Sequence, residues 1–288
     1  MSEEQRFNPL TLLLLYTKKP IIAMLALLLP SFLIATCYSL SEKKEELINT
    51  EETNYFWIEV GIILTLAIVL AFMIAKISKK KRTLVLYIIV VNVSLINVLA
   101  AVINAFVVLS NLLDQNKATR VIIATIIGAL AVSIVWITTI LKGKREKNGK
   151  IRNICTIIIS SNLGTILALI FPIGYYLIII VVLAVFDIYS VFKGPVKEIF
   201  STPEYSKVKY SDTVGIGFGD LVLYASLVVF FAFNYGIEVG LYALINIIVG
   251  VKITLELTRK YKKFPGLPIP TAVVLISGYL AVGLAKIL

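Results

Sequence analysis

Long apolar runs separated by short polar bursts dominate the chain from Pro20 onward. A helix needs about 20 apolar residues to cross the hydrocarbon core of a bilayer. On that measure the pattern predicts nine membrane-spanning helices, at 20–40, 55–77, 83–113, 121–141, 154–171, 172–192, 212–234, 237–257 and 267–288. The apolar stretch 154–192 is too long for one helix. It divides at Phe171-Pro172-Ile173-Gly174, where proline and glycine together favour a turn. Segment 83–113 exceeds what a bilayer needs, so it tilts or extends beyond it. The run from Leu10 to Tyr16 is too short to span and is expected at the interface. Ahead of it, the acidic and polar residues 1–8 lack the basic start of a cleaved signal peptide. The expected fold class is an all-α polytopic membrane protein with nine transmembrane helices. Within one membrane domain, residues 1–171 form a scaffold half and 172–288 a half that carries the chemistry.

Composition agrees with the pattern. Apolar residues make up 59% of the chain and charged residues 16%, whereas a soluble domain has about half and about a quarter. The net charge of +11 does not form one basic face or arm, as a nucleic-acid partner would need. Lysine and arginine recur at the ends of apolar runs, where membrane topology and anionic lipid explain them. Counted on alternate sides of the nine segments, 22 lie with the N-terminus and 5 with the C-terminus. This bias predicts a cytoplasmic N-terminus and an extracytoplasmic C-terminus. Cys37 and Cys155 sit in apolar runs without disulfide or metal spacing. The chain has no histidine, which excludes His-based zinc sites, Ser-His-Asp triads and Cys-His dyads.

Of the four aspartates, Asp114 and Asp212 lie in polar connections, while Asp187 and Asp220 fall inside apolar segments. A carboxylate at membrane depth is costly and marks a functional site. Asp187 lies six residues before Lys193, roughly 9 Å from that end at helical rise, and Asp220 lies eight residues after Asp212, roughly 12 Å in. The two are thus expected at similar depth on consecutive antiparallel helices, toward the cytoplasmic side. Two carboxylates close together in a low-dielectric site cannot both ionise, so the pair shares one proton. The ionised partner can take a proton from water while the protonated one polarises a peptide carbonyl. Neither an acyl-enzyme nor a cofactor or metal is needed.

Gly215, Gly217 and Gly219 place three gaps just before Asp220. They weaken the helix and allow close approach of another backbone. A peptide bond inside a helix must be unwound before it is cut, and its freed polar groups then need partners. Pairing with a strand edge would supply them, and Lys207-Val208-Lys209-Tyr210 alternates in a way suited to that edge. Against these readings stand plainer ones. A Gly-x-Gly stretch alone more often marks close helix packing, and a single intramembrane aspartate also suits a proton-coupled transporter. Lys252 and Glu256 are four apart and suit a helical pair near an interface.

At Gly217-Phe218-Gly219-Asp220 and Phe186-Asp187 the chain resembles the presenilin and signal-peptide-peptidase family of GxGD intramembrane aspartyl proteases. The family's Tyr-Asp motif reads Phe186-Asp187 here, while its GxGD motif is intact. Leu221-Val222-Leu223-Tyr224-Ala225-Ser226 and Lys193-Gly194-Pro195 are similar to presenilin in particular. The Pro-Ala-Leu motif of the family's ninth helix is matched by Pro265-Gly266-Leu267, with glycine for alanine. The resemblance covers the sixth to ninth segments, and the earlier ones match in number and hydropathy. It implies a presenilin-like fold, catalysis by Asp187 and Asp220, and substrate positioning by Gly217, Phe218, Gly219, Pro265, Gly266 and Leu267. It implies substrates that are transmembrane proteins or remnant signal peptides, cut within the bilayer. The short connection 193–211 lacks the long cytosolic insert of eukaryotic presenilins, so no obligatory partner subunits are expected, and self-association stays open. Two alternatives are a prepilin- or preflagellin-type GxGD peptidase, which typically has fewer helices, and an ion- or proton-coupled transporter using the same aspartates.

Overall fold

The computed structural model describes residues 14–17, 20–39, 90–105, 115–141, 149–193, 214–261 and 264–285. Almost all of these are helical. In chain order they form strand β1 (Leu14–Thr17), then helices α1 (Pro20–Ser39), α2 (Val90–Ala105), α3 (Gln115–Leu141), α4 (Gly149–Ile170) and α5 (Ile173–Phe192). Strand β2 (Val214–Gly217) follows, then α6 (Phe218–Tyr235), α7 (Ile237–Tyr261) and α8 (Pro268–Ala285). Helices α3 to α7 are long and apolar enough to cross a membrane, and α1, α2 and α8 contain shorter apolar stretches. The protein is therefore a helical, membrane-embedded one. The expected span 55–77 and the expected edge Lys207–Tyr210 lie outside the described residues.

Helix α6 is the axis of the bundle. Every residue from Leu223 to Phe233 is buried, so the helix is apolar on all sides and enclosed on all sides. Helices α1, α4, α7 and α8 pack around it. Helix α5 reaches it through Tyr176, whose ring stacks on Phe230 at 4.3 Å and whose hydroxyl lies 2.8 Å from Ser226 Oγ. Lipid tails are as apolar as leucine, so close packing rather than water exclusion must hold such helices together. Small residues provide that closeness. A methyl at Gly164 of α4 would come within 2.6 Å of the Ala225 Cβ and the Val222 carbonyl oxygen of α6. A methyl at Gly250 of α7 would meet the Pro270 Cα of α8 at 2.5 Å. Gly236, with φ of 101°, takes the backbone region that L side chains avoid and turns the chain directly from α6 into α7.

Helices α2, α3 and α4 are joined differently. Asn97 donates to Ser133 Oγ at 3.1 Å and accepts from Asn162 Nδ2 at 3.2 Å. The Trp136 indole N–H donates to Thr156 Oγ1 at 3.0 Å, beside a small cluster of Val90, Ile140, Cys155 and Ile159. The opposite face of α3 carries Ile123, Ile127, Leu130 and Ile134, all exposed at helical spacing, which suits contact with lipid.

Two expectations are corrected here. The segment beginning at Asp212 is not helical throughout. Val214–Gly217 is a strand, and the helix starts at Phe218. The run Leu10–Tyr16 is not simply an interfacial stretch either, because Leu14–Thr17 forms the strand that pairs with β2. The pairing is antiparallel, with Leu14 opposite Gly217, Leu15 opposite Ile216, Tyr16 opposite Gly215 and Thr17 opposite Val214.

Candidate active site

Asp187 and Asp220 occupy different kinds of position. Asp187 lies in the last part of α5, five residues before its end at Phe192. Asp220 lies in the first turn of α6, immediately after β2. The extended residues before Phe218 rise about 3.3 Å each rather than about 1.5 Å, so the depth expected from a continuous helix does not apply to Asp220. The two carboxyl groups nonetheless come within electrostatic reach of each other, and both are half-buried.

What joins them is the turn between α7 and α8. Pro265 and Leu267 are buried there, and Pro268 opens α8. The Leu267 N–H donates to Asp187 Oδ2 at 3.0 Å, and the Gly266 amide faces the same carboxyl group. Gly266 also lies against Asp220: a methyl placed on it would clash with Asp220 Oδ2 and come within 2.9 Å of Cγ. A third contact comes from Tyr224, whose hydroxyl donates to the Gly266 carbonyl at 2.8 Å. One glycine is therefore enclosed by Asp187, Asp220 and Tyr224. Glycine at position 266 has a steric reason in this packing.

The other residues divide by role. Gly217 gives the Asp220 carboxyl group room, since a methyl there would press on Asp220 Oδ2 at 3.0 Å. Gly219 is exposed, with open space where a side chain would be, which leaves room beside the Asp220 backbone. Phe218 instead packs toward α3, with its ring 5.8 Å from that of Trp136. It anchors the start of α6 to the N-terminal helices. Phe186 contacts the ring of Tyr189 at 6.5 Å on its own helix.

Three features of the site were not apparent from residue pattern. In the sequence Tyr224 stands out only as part of a run similar to presenilin, although its place four residues after Asp220 puts both on one helical face. Trp136 carried no signal beyond being aromatic. Strand β1 abuts the site because Leu14 pairs with Gly217, three residues before Asp220, and nothing local to Leu14 names that partner. No protein-family model matches the chain, and no curated protein matches it either.

Proposed function

We propose that this protein is an intramembrane aspartyl endopeptidase of the presenilin and signal-peptide-peptidase type. It cuts peptide bonds within transmembrane segments of membrane proteins or remnant signal peptides. The observation that carries the reading is the placement of the Gly266–Leu267 turn on both aspartates. Three short motifs, far apart in sequence, meet at one point inside a helical membrane protein.

In the proposed mechanism a water sits between Asp187 and Asp220, which hold one proton between them. The ionised carboxylate accepts a proton from the water as its oxygen attacks the peptide carbon. The protonated carboxyl group donates toward the carbonyl oxygen, giving a tetrahedral gem-diol. Proton transfer to the amide nitrogen then lets the C–N bond break, releasing a carboxylic acid and an amine. Which aspartate holds the proton at rest belongs to the pair rather than to either residue. Gly219 leaves space for the substrate backbone, Gly217 and Gly266 make room for Asp220, and Pro265 and Leu267 seat the turn. Phe218 holds the start of α6 in place. The full fold under this reading has nine spanning helices, with the N-terminus in the cytoplasm and the C-terminus outside. It needs no cofactor, metal or obligatory partner subunit.

The test is cleavage of a tagged single-span protein by purified enzyme in liposomes, with products identified by mass spectrometry. A cut inside the apolar span that disappears in both Asp187→Ala and Asp220→Ala supports the assignment. Cleavage surviving either substitution removes the dyad. Solute flux across sealed vesicles without peptide products would favour an aspartate-based transporter instead.

A further inference from the structure

We infer that Tyr224 is a positioning residue whose hydroxyl holds the Gly266–Leu267 turn in register with both aspartates; this rests on the protease reading given above. The turn has the sequence Pro265-Gly266-Leu267-Pro268. Its two prolines fix their own φ angles, which leaves Gly266 as the softest backbone position of these four. Yet Gly266 is the residue that has to be fixed, because Leu267 supplies the 3.0 Å donor to Asp187 and Gly266 itself lies against Asp220.

Tyr224 is the group placed to fix it. The side chain is 2% exposed, and its hydroxyl reaches the Gly266 carbonyl at 2.8 Å. It stands one helical turn beyond Asp220 on the same helix, so Asp220 and the grip on Gly266 move as one body. The hydroxyl is also within electrostatic reach of both carboxyl groups. Asp187, on a separate helix, is then tied to the α6 frame through Tyr224, Gly266 and the Leu267 amide. This chain of contacts fixes the spacing of the two aspartates, although α5 and α6 are separate helices joined by a 21-residue connection between Phe192 and β2. Without the hydroxyl, a partly buried carbonyl loses its partner and the flexible glycine is free to turn.

A buried tyrosine hydroxyl elsewhere in the core provides the control. Tyr176 pairs with Ser226 and is fully buried, and among the described residues its contacts lie away from Gly266. Tyr224→Phe removes one oxygen and keeps the ring, as Tyr176→Phe does at the control position. The experiment reads steady-state cleavage kinetics, thermal melting, and hydrogen–deuterium exchange over residues 264–271 in the full-length protein. For Tyr224→Phe the expected result is a kcat lowered by about tenfold, the size of one well-placed hydrogen bond. KM stays within about twofold, melting is retained, and exchange over 264–271 becomes faster. Tyr176→Phe leaves exchange over 264–271 as in the parent.

Unchanged exchange in Tyr224→Phe overturns the inference, whatever the activity. Faster exchange with unchanged kcat overturns it as well, since the turn would then be loose without consequence. Equal acceleration of exchange by both variants reduces Tyr224 to general core packing and also overturns it. If the parent protein cuts no substrate, the protease reading fails, and exchange alone still decides whether Tyr224 holds the turn.

Discussion

The region around α6 and the group formed by α2, α3 and α4 are both built from apolar helices, yet they are held together in opposite ways. Around α6 the contacts are mainly apolar and very close, with glycines set against backbone and small side chains and with the Tyr176 and Tyr224 hydroxyls hydrogen-bonded among them. Between α2, α3 and α4 the buried contacts include asparagine, serine, threonine and the Trp136 indole, joined by hydrogen bonds of 3.0 to 3.2 Å. Interhelical hydrogen bonds in membranes contribute only about 0.6 kcal/mol each. Close packing leaves no slack for an added methyl. The first region should therefore fail abruptly when its geometry changes, and the second should weaken by degrees.

The largest effect is expected from the aspartates themselves. Asp187→Asn and Asp220→Asn should each lower cleavage by at least about a thousandfold, and the double variant should be no worse than either single one. Their melting temperatures should stay near the parent's. Additive losses would show that the two carboxyl groups do not act as a unit.

Gly266→Ala comes next. Its methyl would occupy the place of the Asp220 carboxyl group, and a displacement near 1 Å at a reacting group costs about a hundredfold. A kcat lowered by about ten- to a hundredfold, with folding retained, is the expected outcome. Parent-like kcat would mean that Asp220 has room to move, and the contrast between the two regions would lose its sharpest case.

Gly164→Val tests packing away from the chemistry. It forces a branched side chain against Ala225 and the Val222 carbonyl, and overpacking of this kind costs about 1–3 kcal/mol. Thermal or denaturant unfolding in detergent should show that loss.

The smallest effect is expected for Asn97→Val, which removes the bonds to Ser133 and Asn162. At about 0.6 kcal/mol per bond the loss should be near 1 kcal/mol. A loss as large as that of Gly164→Val would erase the distinction between close and hydrogen-bonded packing.

Most helices were legible from hydropathy, because long apolar runs in a bilayer have few alternatives to a helix. The break at Phe171-Pro172 falls where α4 ends and α5 begins. The aspartates stood out because a carboxylate among apolar residues is rare and costly. Val214–Gly217 departs from the helical expectation for a physical reason. Two apolar residues alternating with two glycines look the same in a buried strand as in the first turn of a helix, and periodicity alone cannot separate them. What decides the matter is a partner at Leu14–Thr17, which local pattern does not reveal. Tyr224 was hidden in a similar way, since its role depends on a carbonyl 42 residues further along the chain.

The pairing of β1 with β2 also bears on how the protein is made. Gly217 leaves the ribosome roughly two hundred residues after its partner Leu14, which is tens of seconds at ordinary synthesis rates. During that interval β1 lacks the strand it pairs with in the folded protein, and hydrocarbon would not tolerate open backbone polar groups. Assembly beside Asp220 is thus tied to synthesis having passed β2.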